Sequence, residues 1–273
     1  MNLNGPSTFP DAIVLASPFD QRRHPINKED MMKRPEIVSR AEWLDARKAH
    51  LEREKAHMRA YDRLCEERRA LPWVRVDKDY VFDTPDGEKS LADLFDGRNQ
   101  LIAYHFMFGP GWKEGCVGCS FLADHFDGAN LHLKHHDVTL IAVSRAPLAE
   151  FQDFKKRMGW DFPWVSSAGS DFNYDFDASF RPDDVKAGTA TYNYAPYTGK
   201  MEDLHGESVF VRDPETGEIF HTYSSYARAG DALIGAHAFL DLTPYGRNED
   251  GVMDWVKLHD LYEDSKPVHS CCH

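Results

Sequence analysis

Cysteine is scarce in this chain: Cys65, Cys116, Cys119, Cys271 and Cys272 are the five among 273 residues. They are too few and too unevenly placed for a small secreted scaffold framed by disulfides. Positive charge is also short, with 32 Lys and Arg against 45 Asp and Glu and a net charge of −13. A long phosphate backbone or an anionic membrane surface would be repelled over most of such a protein, which argues against nucleic acid and membrane as partners. No uninterrupted apolar stretch approaches the roughly 20 residues that cross a bilayer. The start Met1-Asn2-Leu3-Asn4-Gly5-Pro6 lacks the charged end and apolar run of a secretory signal. The chain therefore reads as cytoplasmic, a compartment where cysteines are catalytic, metal-binding or inert rather than bridged.

What is present divides into four stretches. Residues 1–35 hold four prolines before the Met31-Met32 pair and no sustained period, and read as an arm whose apolar piece, Ala12 to Ala16, is able to dock. Residues 36–71 form a long amphipathic helix: Ser39 and Glu42 give the S-x-x-E capping pattern, and Leu44, Leu51, Met58 and Cys65 recur every seven residues, widened by Tyr61 and Leu64. Such a stripe is expected to clamp onto the main domain; the alternative is a homodimer through the same face. Residues 72–263 form the main domain, and residues 264–273 a tail containing His269-Ser270-Cys271-Cys272-His273.

Within the main domain, Tyr80 to Phe82, the turn Thr84-Pro85-Asp86-Gly87 and a helical stretch from Ser90 to Phe95 come first. Leu101 to Phe108 is a nearly continuous apolar run of strand length, as expected for a central strand covered on both faces. A helix from Ser120 to about Leu133, a buried strand from Val138 to Val143 and a helix from Pro147 through Met158 follow, which makes a right-handed β-α-β-α unit. Residues 166–204, rich in Gly, Asp, Asn and Tyr, read as a long excursion, the kind that is usually functional or disordered. A hairpin built on Ser208–Val211, Glu218–Tyr223 and the turn between them precedes a helix from Asp231 to Leu240. The fold class is α/β. The order β-α-β-α-β-β-α is that of the thioredoxin-like three-layer fold, a central mixed sheet flanked by helices, here with a long N-terminal helix and an extended insertion before the C-terminal hairpin.

Cys116-Val117-Gly118-Cys119 falls between the central strand and the helix after it. At a helix start the two sulfurs face each other across one turn, and the first lies near unpaired N–H groups that stabilise its thiolate. Cys116 is then the nucleophile and Cys119 the resolving thiol of a disulfide exchange that requires no organic cofactor. The partners of such chemistry are protein or small-molecule thiols and disulfides. The same C-x-x-C is also half of a zinc site, but a second pair at suitable spacing is missing, and adjacent Cys271 and Cys272 are awkward joint ligands for one tetrahedral ion. The tail suits a soft metal or thiol exchange, with an idle solvated tail as the plainer reading.

The sequence resembles the thioredoxin-like family DUF899, described as predicted dithiol-disulfide oxidoreductases. The likeness rests on Ser39-Arg40-Ala41-Glu42-Trp43-Leu44, Leu71-Pro72-Trp73-Val74-Arg75-Val76, His105 to Trp112 with the dithiol, Val143-Ser144-Arg145-Ala146-Pro147, Arg157-Met158-Gly159-Trp160 and His221-Thr222-Tyr223-Ser224. It runs from about Arg34 to Glu263 and implies a redox role. More distantly, Tyr80 to Phe95 and the strand before the dithiol resemble the peroxiredoxin and membrane-anchored thioredoxin group. That group places a cis-proline in the loop before the hairpin, where this chain has Leu204-His205-Gly206-Glu207-Ser208; it also lacks the single-cysteine threonine motif of peroxiredoxins. His205, nine residues before Pro214, is similarly spaced to a histidine of Sco-type copper-assembly proteins, whose pair is C-x-x-x-C. That likeness implies the alternative of a copper-binding or metallochaperone protein with Cys116, Cys119 and His205 as ligands, since two thiolates and an imidazole suit copper.

The remaining candidates have plainer readings beside their functional ones. His132 and His136 are spaced for zinc, yet the H-E-x-x-H glutamate is missing, and a solvated helix end is the expectation. His105 is either a tuner of the thiolate or a hydrogen-bonded core histidine. Trp112 and Trp160 either wall the site or simply pack. Cys65, on the apolar stripe, reads as a buried small hydrophobe.

Overall fold

The computed structural model describes residues 35–263, so Ala12 to Ala16 and the tail cysteines lie outside the described residues. The first element is α1 (Arg40–Arg69), opened by the expected reciprocal cap. The Glu42 N–H donates to Ser39 Oγ at 3.3 Å and the Ser39 N–H to Glu42 Oε2 at 2.9 Å. The expected clamping is not found. No residue of α1 is buried, and Leu44, Leu51, Met58 and Leu64 remain between 37% and 55% exposed. A strict seven-residue stripe drifts by ~20° per heptad around a straight helix, so it offers no broad face to one neighbour. Cys65 is accordingly half-buried rather than buried. At the far end of α1 the Arg68 guanidinium lies 4.7 Å over the Tyr223 ring.

Strands β1 (Val74–Arg75), β2 (Val81–Thr84) and β3 (Gly87–Ser90) precede the central β4 (Gln100–His105). Helices α2 (Val117–Ala123) and α3 (Phe126–Leu133) lead to β5 (Val138–Ser144), and α4 (Leu148–Arg157) leads to β6 (Trp164–Ser166). The short α5 (Phe172–Asp175) and α6 (Pro182–Ala187), with the ribbon β7 (Thr191–Tyr192) and β8 (Ala195–Pro196), fill the insertion. β9 (Gly206–Arg212), β10 (Ile219–Tyr226) and α7 (Gly235–Leu240) complete the domain. Eight strands form one sheet in the order β1-β10-β9-β4-β5-β6-β2-β3. β4, β5 and β6 run parallel, while β9 is antiparallel to β4 and β10 to β9. This is the expected mixed, thioredoxin-like arrangement, with the dithiol after the central strand.

Several details differ from expectation. The central strand ends at His105 rather than Phe108, and the helix from Asp231 to Leu240 is a 3-10 stretch over Ala227–Leu233 followed by the short helix from Gly235. The single helix from Ser120 to Leu133 is two, broken at Asp124 and His125, where the His125 ring nitrogen Nδ1 hydrogen-bonds the Phe121 carbonyl at 2.9 Å. The stretch from Ser90 to Phe95 is the end of β3 followed by one 3-10 turn at Asp93–Phe95.

The alternation of side chains along β4 divides the core in two. Leu101 and Ala103 enter a cluster with Phe82, Phe95, Ile141, Val143, Phe172 and Phe210 on one face. Ile102 and Tyr104 enter a larger one on the other, with Cys119, Leu122, Phe126, Phe151, Phe154 and Trp164. The larger cluster binds α2, α3 and α4 to the sheet and carries the dithiol. The insertion has a small core of its own, in which Phe180 stacks on Tyr197 with ring centres 4.0 Å apart. That core explains why so aperiodic a stretch is ordered. Among the described residues, no helix is long and apolar enough to cross a membrane.

Candidate functional site

The approach to the dithiol is dictated by packing. A Cβ at Gly115 would lie 2.6 Å from the Phe106 ring and 2.9 Å from that of Phe154, so glycine alone lets the backbone pass tight against the core. The Cys116 N–H then donates to the Met107 carbonyl at 3.2 Å, and Cys116 becomes the N-cap residue of α2. Its sulfur accepts the Cys119 N–H at 3.5 Å. Cys116 is half-buried and Cys119 buried, and both are free thiols.

These contacts separate the two thiols. The Cys119 thiol donates to the Cys116 sulfur, and together with the Cys119 and Gly118 N–H groups it holds the Cys116 pKa down to about 7, against burial. Burial first, and then the neighbouring Cys116, push the Cys119 thiol well above its ordinary range, while the Tyr104 hydroxyl hydrogen-bonds its sulfur. Labelling by iodoacetamide is accordingly expected to modify Cys116 with a midpoint near pH 7 instead of the ordinary 9.0, and to leave Cys119 untouched in the folded protein. Peptide mapping of the labelled chain across pH 5–10 checks both halves.

Behind the pair stands a group that the motif did not reveal. Glu207 on β9 is the direct cross-strand neighbour of Tyr104 on β4. It is 4% exposed. Its Oε2 accepts the Ser225 hydroxyl at 2.8 Å, and Oε1 is buried without a partner. A Cβ at Gly230 would sit 2.8 Å from Oε1 and 3.5 Å from Leu122 of α2, so this carboxyl lies beneath the dithiol helix. Burial raises its pKa to about 7. The sequence carried a signal for it: Glu207, Val209 and Val211 share one face of a strand, an acid at an apolar position.

His205 does not join the sulfurs. Among the described residues no three His, Cys, Asp or Glu side chains are placed to hold a metal, so the alternative ligand set Cys116, Cys119 and His205 is not assembled. Burial lowers the pKa of the His205 ring, against the charge of Asp231, which acts to raise it. The His205 carbonyl accepts the Tyr192 hydroxyl at 2.8 Å, and its Nδ1 is buried without a partner. The loop before β9 contains neither a proline nor a cis peptide. It is pinned instead by Asp203, which is 4% exposed, accepts both Nε (2.9 Å) and Nη2 (2.8 Å) of Arg145, and accepts the Ser179 hydroxyl at 2.7 Å.

Of the other candidates, His105 points into the face opposite the dithiol. It is bonded to Ser208 Oγ at 2.9 Å, stacked on Phe172, and lowered by burial to about 4, hence neutral. His132, His135 and His136 are exposed at a helix end. Trp160 is buried against Phe106 with its Nε1–H on Asp124 Oδ1 at 2.8 Å, and half-buried Trp112 packs on Phe108.

A mixed sheet with a dithiol on the first turn after its central strand defines a thioredoxin-like protein. The chain belongs to the family DUF899, described as bacterial protein of unknown function, whose model matches residues 32–262. No curated protein matches the sequence. Solved structures similar to it include the peroxidoxin BcpB of Mycobacterium tuberculosis, at 16% identity, over 62% of this chain and 97% of that one, with a TM-score of 0.38. Peroxiredoxin Q of Xanthomonas campestris is 15% identical over 62% and 96% of the two chains, with a TM-score of 0.39. A Chlorobium tepidum protein described as a thiol:disulfide interchange protein DsbE is 12% identical over 60% and 93%, with a TM-score of 0.36. At that distance they leave the activity to the site itself.

Proposed function

We propose that this protein is a thiol–disulfide oxidoreductase in which Cys116 attacks and Cys119 resolves. The observation that carries the reading is the division of the pair: one half-buried thiol held near pH 7 as a nucleophile, the other buried and protonated beside it. The Cys116 thiolate attacks one sulfur of a substrate disulfide, and the other sulfur leaves as a thiolate and takes a proton. Cys119 then gives up its proton and attacks the Cys116 sulfur. The Cys116–Cys119 disulfide forms, and the second substrate sulfur is released as a thiol.

Cys119 is a poor nucleophile until that proton leaves. Glu207 is the acceptor this reading assigns, because it is buried under α2, has an unoccupied oxygen and is the cross-strand neighbour of the tyrosine that bonds Cys119. A carboxyl with its pKa near 7 changes protonation at the pH where Cys116 does, which suits alternate acceptance and return of one proton.

The test is a redox equilibrium. In glutathione and dithiothreitol buffers, alkylation and mass spectrometry should reveal one two-electron transition of Cys116 and Cys119, within the range of about −270 to −120 mV spanned by exchange dithiols. A pair that stays reduced throughout that range would remove the reading.

A further inference from the structure

Glu207 has a second titratable group beside it. His205 and Glu207 flank Gly206 where β9 begins, two residues apart, the spacing that puts side chains on one face of a strand. The ring of Tyr226, cross-strand from Gly206, takes the opposite face. His205 and Glu207 each hold one buried polar atom with no partner among the described residues, Nδ1 of the first and Oε1 of the second. Buried polar atoms are bonded almost everywhere in folded proteins, so two orphans on one face call for a common partner. The 3-10 stretch Ala227–Leu233 lies against both: Gly230 meets the Glu207 carboxyl, and the charge of Asp231 acts on the His205 ring. Glycine keeps the space in front of the carboxyl open, since a Cβ at Gly230 would lie 2.8 Å from Oε1. Two residues of strand span about 6.6 Å, and one water with hydrogen bonds of about 2.8 Å on either side bridges most of that separation. Of the two ring nitrogens of His205 only Nδ1 is shut in without a partner, while the residue as a whole is half-buried. The imidazole therefore runs from the interior toward the surface. Burial keeps it neutral near pH 7, and Asp231 steadies the ring whenever it takes a proton. Its backbone is fixed by the Tyr192 hydroxyl, which donates to the His205 carbonyl at 2.8 Å and accepts the Ala227 N–H at 3.0 Å.

We infer that His205 is the relay by which the proton taken up by Glu207 reaches solvent, with one bridging water between Glu207 Oε1 and His205 Nδ1. This rests on the proposed oxidoreductase reading, with Glu207 as the acceptor. In the step, the Cys119 proton passes to the Glu207 carboxylate. Oε1 hands a proton to the water, and the water gives its other hydrogen to Nδ1, while the ring releases the proton on Nε2 to solvent. Cys119 is left as the thiolate that attacks the Cys116 sulfur. One proton has left the protein, the carboxylate is restored, and no electron has moved along the relay. The ring then holds its proton on Nδ1, placed to return it to Glu207 and Cys119 when the Cys116–Cys119 disulfide is reduced again.

Glutathione disulfide added to the reduced full chain, with acid quenching and peptide mapping, reads the two steps separately. Attack is the appearance of a Cys116–glutathione adduct, and closure is its conversion into the Cys116–Cys119 bond. His205→Ala should form the adduct at the wild-type rate and close it about a hundredfold more slowly, the low end of what an acid–base group contributes. Added imidazole, which fits the space left by the ring, should restore most of the closure rate. His205→Gln keeps the volume and a polar tip but binds no proton, and should be equally slow without being rescued. In Glu207→Gln the loss of His205 should cost nothing further, because the two residues handle one proton. Closure at the wild-type rate, a deficit that imidazole leaves unchanged in His205→Ala, or a full additional loss in the Glu207→Gln background would overturn the inference and leave the oxidoreductase standing. A wild type that forms neither the adduct nor the Cys116–Cys119 bond would overturn both.

Discussion

Cys116→Ser is expected to bring the reduction of insulin disulfides down to the rate of the dithiothreitol control, with the fold intact. A serine hydroxyl in the same place meets the same N–H groups of Gly118 and Cys119, but its proton is held far too tightly for an anion to form near neutral pH, and exchange requires the anion. Cys116 is half-buried at the first turn of α2, so the exchange of sulfur for oxygen removes little packing, and thermal unfolding should move within about 0.5 kcal/mol. Cys119→Ser separates the two roles. It should retain the first attack and accumulate a mixed disulfide on Cys116, visible by mass as a substrate adduct that the wild type never shows. A new hydroxyl at this buried position costs about 1–3 kcal/mol if unsatisfied, but the Tyr104 hydroxyl that bonds the native sulfur remains its partner. Equal turnover of wild type and Cys116→Ser would end the oxidoreductase reading.

How much of this was legible beforehand depended on whether the signal was local. The capping box at Ser39 and Glu42, the apolar run that becomes β4 and the position of Cys116 ahead of a helix are decided within a few residues of chain, and each stands where the sequence places it. The environment of α1 was not legible, because amphipathic spacing states that a face is apolar without saying what covers it. The surroundings of His205 are not legible for the same reason. Its spacing from Pro214 puts it in the loop before β9, but the charge that acts on its ring, that of Asp231, belongs to a later segment that no local pattern relates to it. Arg145 was visible only as part of a motif; its partner Asp203 lies 58 residues further on. Glu207 shows the limit most clearly. Strand alternation marks it as inward-facing, but that it lies under α2 beside Tyr104 follows only from the antiparallel pairing of β9 with β4, a contact 103 residues apart in the chain.

Glu207→Gln should therefore raise stability and lower activity together. In the native protein the carboxyl is protonated up to about pH 7, whereas in the unfolded chain it ionises near 4.5. Between those values the unfolded state binds fewer protons than the native one, so stability falls as pH rises through the window, by roughly 3 kcal/mol for this group in all. Glutamine does not titrate and keeps an oxygen for the Ser225 hydroxyl, so the variant's urea midpoint should be nearly flat over the same range and exceed that of the wild type above pH 7. Activity should move the other way. With no acceptor behind it, Cys119 must lose its proton to solvent from a buried position, and removal of a general base typically costs about 10²–10⁴-fold. The loss belongs to the resolving step: the first attack by Cys116 should proceed at the wild-type rate, and the mixed disulfide should persist until the pH is high enough for Cys119 to ionise unaided. A carboxyl that merely supported the fold would weaken stability and turnover in the same direction when replaced. Opposite signs, with the deficit confined to the second step, distinguish a proton acceptor from a structural acid.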